Sequence, residues 1–231
     1  MTSEANFAAL AERLGYAFAQ PSLLVEALTH RSWCADHEGA SSNERLEFLG
    51  DAVLSLVVTD HIYSAYPEMA EGQLAPLRAE VVRAEALADL AVELQLGKAL
   101  LLGRGEEASG GREKPSILSD AMEAVIGAVY LDAPWEKLMV LVRGWLDERI
   151  AAASEGPGIR DFKTRLQEYC ARNGQDAPDY RLTEKGPDHA KQFLAAVYVD
   201  GEERGQGQGR SKKQAEQAAA ASAWQTLKDE E

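Results

Sequence analysis

Two groups of carboxylates in the first part of the chain have the residue types and the spacing of a metal site. Glu44, Glu47 and Asp51 form one group, and Asp120 and Glu123 form the other. Separations of three and four residues place the members of each group on one face of a helix. Such a group is often only a solvated acidic surface, so its neighbours in the sequence decide its interpretation.

Those neighbours predict that the carboxylates are shielded from water. The stripe that begins at Glu44 continues at helical spacing into Leu54, Val58 and Ile62, which are apolar. Glu123 lies in a segment that is apolar almost all round, which is typical of a buried helix. Burying an ionised carboxylate without a partner costs several kcal/mol. We therefore expect something to compensate these charges.

Arginines, shared protons or a metal ion could provide the compensation. Arg45, Arg78 and Arg83 are available for an ion-pair network, which stays open as an alternative. Clustered oxygen ligands without cysteine or a nearby histidine favour Mg²⁺, which binds through few carboxylates and retains waters. A di-iron centre would need Glu-x-x-His pairs, but neither Glu47 nor Glu123 is followed by histidine at that offset.

Hydrophobic spacing predicts an all-α domain over residues 1–154. Apolar residues recur there every three or four positions, without the alternation that is typical of strands. A loop rich in glycine and charge is expected over 103–111, and Pro115 is expected to start the next helix. The small, turn-forming residues at 155–159 predict a linker.

Residues 160–231 have a different pattern and predict a small α+β domain with the order α-β-β-β-α. The expected elements are a helix at 160–172, strands at 180–184 and 193–199, and a helix at 211–227. Asp200 and Gly201 predict a hairpin turn. The Gly-rich run that follows, 205–209, does not predict a dinucleotide loop, because no parallel strand unit precedes it.

Composition limits the classes of partner. The net charge of −14 argues against a nucleic acid that contacts the whole surface, but residues 159–231 carry 12 of the 24 basic side chains against 13 acidic ones. Binding of RNA would be local and sensitive to salt. No apolar run is long enough for a membrane helix, and the first residues lack the pattern of a signal peptide, so we expect a cytoplasmic protein without a membrane partner. Cys34 and Cys170 have no disulfide or zinc spacing.

The run at 43–54, NERLEFLGDAVL, resembles the signature of the ribonuclease III family. The segments 28–32 and 120–124 are similar to other blocks of that family, and residues 160–229 resemble a double-stranded RNA-binding domain. The resemblance covers nearly the whole chain, in the two-domain arrangement of the bacterial enzymes.

This resemblance implies an Mg²⁺-dependent endoribonuclease that hydrolyses double-stranded RNA such as precursors of ribosomal RNA. The implied products have 5′-phosphate and 3′-hydroxyl ends with short 3′ overhangs. The resemblance also implies a homodimer through the catalytic domain. Mn²⁺ is an expected substitute for Mg²⁺, and no organic cofactor is expected.

The family's functional residues can be carried over to matching positions of this chain. The metal-binding positions match Glu47, Asp51, Asp120 and Glu123, of which Asp51 and Glu123 are also the expected catalytic residues. Glu44 matches an acidic position near the dimer interface and the substrate. Our hypothesis is that Glu47 and Glu123 anchor the principal ion, while Asp51 and Asp120 complete or orient its shell.

In the C-terminal domain, the residues that match minor-groove contacts of the family are Thr164, Gln167, Glu168 and His189. Ser211, Lys212 and Lys213 open the last helix, where free N–H groups favour a phosphate. A surface lysine pair often serves only solubility, and the combined spacing is what favours RNA. Glu216 stands where many relatives carry a further basic residue, which predicts modest, salt-dependent affinity.

Two other functions stay open. The chain could be an RNA chaperone or regulator without turnover, or a metal-dependent hydrolase of small nucleotides with the C-terminal domain as an accessory. The complete acidic set disfavours the first function, and the second leaves the C-terminal domain without a role.

Overall fold

The computed structural model describes residues 3–155, 162–185 and 191–229. The chain divides into two compact units, Met1–Ser154 and Glu155–Glu231. Most of the linker expected at 155–159 lies outside the described residues. Within the described ranges, no helix combines the length and the apolar character that crossing a bilayer requires.

The first unit is helical, as predicted. Its helices are α1 (Ser3–Leu14), α2 (Pro21–Ala27), α3 (Arg31–Asp36), α4 (Glu44–Ala65), α5 (Glu71–Val82), α6 (Ala84–Glu93), α7 (Arg104–Ala108), α8 (Pro115–Asp132) and α9 (Trp135–Ser154). Short 3₁₀ turns lie at Leu96–Ala99 and Gly111–Glu113. Thr29 and Leu101 of this unit form an isolated parallel β-bridge.

Helices α4 and α8 form the centre of this unit. Helix α8 begins at Pro115, where the missing N–H of proline costs no helical hydrogen bond. It is buried on most sides because small and branched apolar residues such as Ala124 and Ile126 follow one another. Helix α4 buries Leu54 and Ile62 along the predicted stripe. Helix α6 packs on α8, and α9 packs on α4 and α5.

The prediction of a loop over 103–111 is wrong for much of the segment, because α7 occupies residues 104–108. The segment closes on itself through Arg112, whose guanidinium forms two hydrogen bonds to the Glu107 carboxylate and two more to the carbonyls of Gly97 and Leu100. Gly110 has a φ of 75° and provides the turn after α7. Long-range side-chain bonds of this kind leave no periodic signal in the sequence.

The second unit has the predicted order α-β-β-β-α. Its elements are α10 (Phe162–Arg172), β1 (Asp179–Lys185), β2 (Gln192–Val199), β3 (Glu202–Gly209) and α11 (Lys212–Asp229). The strands form an antiparallel sheet in the order β1-β2-β3. Asp200 and Gly201 have φ values of 52° and 81°, as the predicted hairpin turn requires. Leu166 and Cys170 of α10 pack into the core that β2 and α11 share.

The glycines of β3 allow α11 to lie directly on the sheet. A Cβ at Gly207 would lie 2.6 Å from the carbonyl oxygen of Ala215, and one at Gly205 would overlap the backbone of Ala223. The Gly-rich run at 205–209 is therefore a strand that makes room for an alanine-lined helix, which gives the run a structural role other than nucleotide binding.

Candidate active site and RNA-binding surface

The acidic residues are positioned by the crossing of α4 and α8. A Cβ at Gly50 would lie 2.6 Å from the carbonyl carbon of Glu123 and 3.0 Å from the nitrogen of Gly127. A Cβ at Gly127 would in turn overlap the carbonyl oxygen of Leu46. The two backbones touch because both positions lack a side chain. The crossing brings the carboxylates that flank Gly50 toward those that precede Gly127.

The pKa values of Glu123 and Glu47 reflect this convergence. The pKa of Glu123 is raised to about 7, first by burial and then by the charges of Asp51, Glu47 and Asp120 in that order. Burial and then the charge of Asp120 also raise the pKa of Glu47. Burial raises the pKa of Asp120. These side chains from two helices therefore repel one another across the crossing.

The expectation of a fully shielded site is only partly met. Glu47, Asp120 and Glu123 are half-buried, whereas Asp51 and Glu44 are exposed to solvent. Along the stripe that begins at Glu44, the side chains are fully buried only from Leu54 onward, although Leu46, on another face of the first turns, is also buried. The carboxylates thus form an open acidic cleft, which a polymeric substrate can reach.

Among the described residues, Arg45, Arg78 and Arg83 form no ion pair with the predicted metal ligands, so the network that stayed open as an alternative is not formed there. Arg83 pairs with Glu80 and Glu85, and Arg78 donates to the hydroxyl of Thr59. Arg31 lies near enough to lower the pKa of Glu47 and of Asp120, but less than burial raises them.

In the part of the chain that the structure describes, no lysine, arginine or histidine forms an ion pair within 4.0 Å of the four predicted ligands: Glu47, Asp51, Asp120 and Glu123. Their repulsion is therefore uncompensated by a contacting cation of the protein.

The chemistry of the donor set fits a hard divalent cation. All four predicted ligands offer carboxylate oxygens, which Mg²⁺ prefers. Among the described residues, no three side chains of the His, Cys, Asp and Glu types are already arranged as ligands of one ion. Mg²⁺ is commonly held by one or two carboxylates with waters and substrate oxygens in its other positions. This arrangement needs fewer preformed ligands than a closed structural site.

A hollow of about 500 Å³ adjoins Glu47 and Asp120. Glu44 and Glu106 also line it, together with the donor groups of His30, Arg31, Asn43, Lys114 and Ser116. The sequence interpretation assigned no role to these donors. The family-like segment at 28–32 contains two of them, Asn43 opens the signature run, and Lys114 precedes the predicted helix start. Their positions were visible in the sequence, but their convergence was not.

In the second unit, the residues expected to contact minor grooves lie on one face of α10. Thr164, Gln167 and Glu168 are exposed, on the side opposite the buried Leu166 and Cys170. His189 and its loop lie outside the described residues. These three side chains therefore share one solvent-facing side of α10.

The predicted phosphate-binding residues lie at the start of α11. Ser211 caps this helix by accepting the N–H of Gln214 at 3.2 Å, and Lys212 and Lys213 are exposed. Glu216 is engaged within the unit, because its carboxylate pairs at 2.5 Å with Lys163. Lys163 also lies 4.5 Å over the ring of Tyr180. The acidic residue that departs from the family pattern thus ties α11 to α10.

Glu184 opposes the basic surface and is a residue that the sequence interpretation missed. Its carboxylate lies 2.8 Å from Nζ of Lys191 and 3.7 Å from Nζ of Lys212. These lysines lower the pKa of Glu184. A phosphate at Lys212 would have to compete with this carboxylate.

Replacing Glu184 with Gln is expected to raise the affinity for duplex RNA about two- to fivefold at low salt, since exposed ion pairs of this kind contribute little each. Fluorescence anisotropy over a range of salt concentrations would measure the change, and the gain should shrink as salt rises. Asp179→Asn, which releases Arg181 at the other end of β1, is the control and should leave affinity unchanged. An affinity of the Glu184 variant at or below the starting value would contradict this role.

Comparisons with known proteins relate both units to one family. Residues 20–149 match the family described as Ribonuclease-III-like, and residues 162–227 match the double-stranded RNA binding motif. A Streptomyces coelicolor protein named Ribonuclease 3 is 52% identical over 228 residues, covering 98% of this chain and 82% of that protein. Its namesake from Thermobifida fusca is 54% identical over 209 residues, covering 90% and 87%.

Solved structures give a consistent result for the first unit. The nuclease domain of ribonuclease III from Campylobacter jejuni is similar to this chain with a TM-score of 0.57 and 43% identity, covering 61% of this chain and 93% of that one. A second structure of that domain has a TM-score of 0.57 and 44% identity, covering 61% and 95%, and is described as flexible in a region involved in dimer formation.

Proposed function

This chain belongs to the ribonuclease III family and is an endoribonuclease of double-stranded RNA, and we propose that it cuts the duplex with Mg²⁺ bound by carboxylates of α4 and α8. Glu47 and Glu123 anchor the principal ion, and Asp51 and Asp120 complete or orient its shell. Mn²⁺ substitutes for Mg²⁺, and no organic cofactor takes part.

The observation that carries this proposal is the mutual repulsion of carboxylates at the helix crossing. The pKa of Glu123 is raised to about 7 by burial and then by its three acidic neighbours. Burial together with like charges that disfavour the ionised form is typical of functional sites. A divalent cation favours oxygen ligands and would neutralise several of these charges at once.

Bound Mg²⁺ would supply an activated water and would stabilise the negative charge that develops on the phosphate oxygens. The residues of the chain hold the reacting groups in position. Glu47 and Glu123 come from different helices, and the contact of Gly50 with Gly127 fixes their separation. Asp51 is exposed, so substrate and water can reach it. In line with the family positions that they match, we assign Asp51 and Glu123 as the catalytic residues.

Cleavage of both strands requires two such sites, which we attribute to a homodimer formed by the first unit. Attack of water on the phosphorus with departure of the 3′ oxygen leaves 5′-phosphate and 3′-hydroxyl ends. Two cuts that are offset across a duplex leave short 3′ overhangs.

An exposed aromatic side chain supports the dimer. Phe48 is 82% exposed at the surface of α4, beside a groove of about 670 Å³ that Leu23, Leu49 and Leu131 help to line. In a twofold contact, each Phe48 can enter the groove of the other protomer and remove both apolar surfaces from water. Glu44 lines both this groove and the hollow beside the carboxylates, so the contact would lie next to the active site.

Phe48→Asp is expected to convert the dimer to monomers, because it would place a charge in an apolar contact of both protomers. Sedimentation velocity at micromolar concentration would measure the change. Val140→Asp changes a comparably exposed residue of α9 and should leave the dimer intact. A dimer that persists in the Phe48 variant would contradict this interface.

The second unit delivers the duplex to the site. In our proposal Thr164, Gln167, Glu168 and His189 face minor grooves, where 2′-hydroxyls distinguish RNA from DNA. The residues that bind phosphates across the intervening groove are Ser211, Lys212 and Lys213. Duplex precursors of ribosomal and messenger RNA in the cytoplasm are the proposed substrates.

A plain RNA duplex incubated with Mg²⁺, with Mg²⁺ plus EDTA, and with Mn²⁺ tests the function. Cleavage in both metals, none in EDTA, no cleavage of a DNA duplex of the same sequence, and 5′-phosphate ends are the expected results. Binding of the duplex without turnover in any metal would instead support an RNA chaperone. Turnover of small nucleotides while the duplex stays intact would support a nucleotide hydrolase.

A further inference from the structure

Asn43, a buried residue that lines the hollow beside the carboxylates, has a side chain that forms no hydrogen bond with the described residues. Asn43 is 3% exposed, yet it lines the hollow. Its backbone N–H donates to the carbonyl of Thr29 at 2.9 Å, and its own carbonyl accepts from Glu47. Within the described residues, no hydrogen bond is formed by its side chain, which does not cap α4. Because its amide is not fully enclosed by protein, a ligand in the hollow can satisfy it.

The start of α8 supplies further hydrogen-bond donors to the same hollow, although Nζ of Lys114 is already bound to Glu106. Lys114 at the N-cap position and Ser116 in the first turn both line it. Pro115 has no N–H, and the first backbone bond of the helix runs from Leu118 to the carbonyl of Lys114. The N–H groups of Ser116 and Ile117 are therefore left over, and α8 has no side-chain cap in the described structure. With 18 residues, α8 has a macrodipole that favours an anion at this end.

The segment before α3 contributes a donor whose protonation is fixed by its neighbours. The N–H of Ser32 donates to Nδ1 of His30 at 3.2 Å, and Oγ of Ser32 lies 2.8 Å from the same atom. Oγ of Ser32 accepts from the N–H of Gly103, so its proton can go to His30. Because Nδ1 accepts, the ring proton of neutral His30 is on Nε2. His30 thus offers an N–H as its remaining polar group.

These donors converge from three elements, and we infer that the hollow binds a backbone phosphate of the cut RNA strand, next to the bond that is hydrolysed. The donors are Asn43, His30 Nε2, Arg31, Lys114, Ser116 and the first N–H groups of α8. The inference rests on the proposed function and adds to it a substrate-positioning site whose donors are different residues from the metal ligands.

The charges of the hollow identify the ligand as a phosphate within RNA rather than a free anion. Four carboxylates border it against the two permanent cations Arg31 and Lys114. Glu106 is already bound to Lys114 and Ser109, and Glu44 accepts from Ser42 at 2.8 Å. The remaining two carboxylates are proposed metal ligands. A phosphate could bind once a metal ion neutralises these two carboxylates and the rest of the duplex holds the strand in place.

Single neutral methylphosphonate linkages, moved along the cut strand of a duplex, test the inference. Single-turnover cleavage over a range of enzyme concentrations separates the half-saturating concentration from the maximal rate. In the unaltered enzyme, a methylphosphonate at one position beside the cut is expected to raise the half-saturating concentration roughly tenfold, because hydrogen bonds to a charged group are lost.

Asn43→Asp should raise the half-saturating concentration for the plain duplex roughly tenfold or more, with a maximal rate within about threefold. In this variant the methylphosphonate at the sensitive position should not raise the half-saturating concentration further, since the two changes remove the same interaction. Asn6→Asp adds the same charge on α1, away from the hollow, and should behave as the unaltered enzyme. Ser116→Ala removes an exposed donor and should produce a smaller loss at the same position.

Failure of the phosphate site and failure of the proposed function would give different results. If the methylphosphonate profile of Asn43→Asp equals that of the unaltered enzyme, the phosphate site is wrong. Should Asn43→Asp fail to fold, as judged by circular dichroism, the Ser116 variant decides in the same way. An unaltered enzyme that does not cut the plain duplex would overturn the proposed function instead.

Discussion

Glu123→Gln is expected to lower the rate of duplex cleavage by at least roughly 10²- to 10³-fold, because a central charged group of the proposed metal site is lost. Affinity for the duplex should stay within a fewfold, since the RNA-binding residues are unchanged. Single-turnover cleavage and anisotropy measure the two quantities. The control is Glu136→Gln, an exposed position of α9 that should cleave normally. Cleavage by the Glu123 variant within threefold of normal would contradict the assignment.

The same substitution has a stability effect whose sign follows from the pKa. The folded pKa of Glu123 is raised to about 7 from its ordinary 4.5, so between these values the folded state binds its proton more tightly than the unfolded state. Stability of the metal-free protein therefore falls as pH rises through this window. Gln does not ionise, so in EDTA at pH 8 the variant should unfold at a higher temperature than the unaltered protein. At pH 4.5 the difference should disappear.

Gly50→Ala is expected to disrupt the first unit, because the new Cβ would overlap the backbone of Glu123 rather than a movable side chain. The cost should be at the upper end of overpacking, about 3 kcal/mol or more. Cleavage should also fall, since any separation of α4 from α8 also separates Glu47 from Glu123. Chemical denaturation and cleavage assays measure the two effects.

Gly144→Ala provides the matched control. Gly144 is an exposed residue inside α9, and a Cβ there meets nothing within 4 Å. This change should stabilise the protein by up to about 1 kcal/mol, because alanine favours helix. Equal effects of the two substitutions would mean that the contact of α4 with α8 is not tight.

Periodic features of the sequence predicted most of the fold. The apolar stripe of α4, the start of α8 at Pro115 and the turn at Asp200 all follow from local rules, and each is present. The helix at 104–108 was missed because a network around Arg112 stabilises it, and such contacts join residues far apart in sequence.

The sequence predicted which acidic residues form the candidate site, but not how exposed each one is or which charges lie near it. Spacing placed Glu47 and Asp51 on one face, yet it could not reveal that Asp51 is exposed. It also could not reveal that Arg31, from a distant segment, is the arginine whose charge reaches Glu47. The sequence also could not reveal that Phe48, an apolar residue within the signature run, is 82% exposed.

Titration of metal-free protein with Mn²⁺, followed by electron paramagnetic resonance, tests most directly whether α4 and α8 jointly hold the ion. The unaltered protein should bind Mn²⁺, and Glu47→Gln and Glu123→Gln should each weaken binding by at least about tenfold, because each removes a ligand from a different helix. Undiminished binding of Mn²⁺ by either variant would contradict a site shared between the two helices.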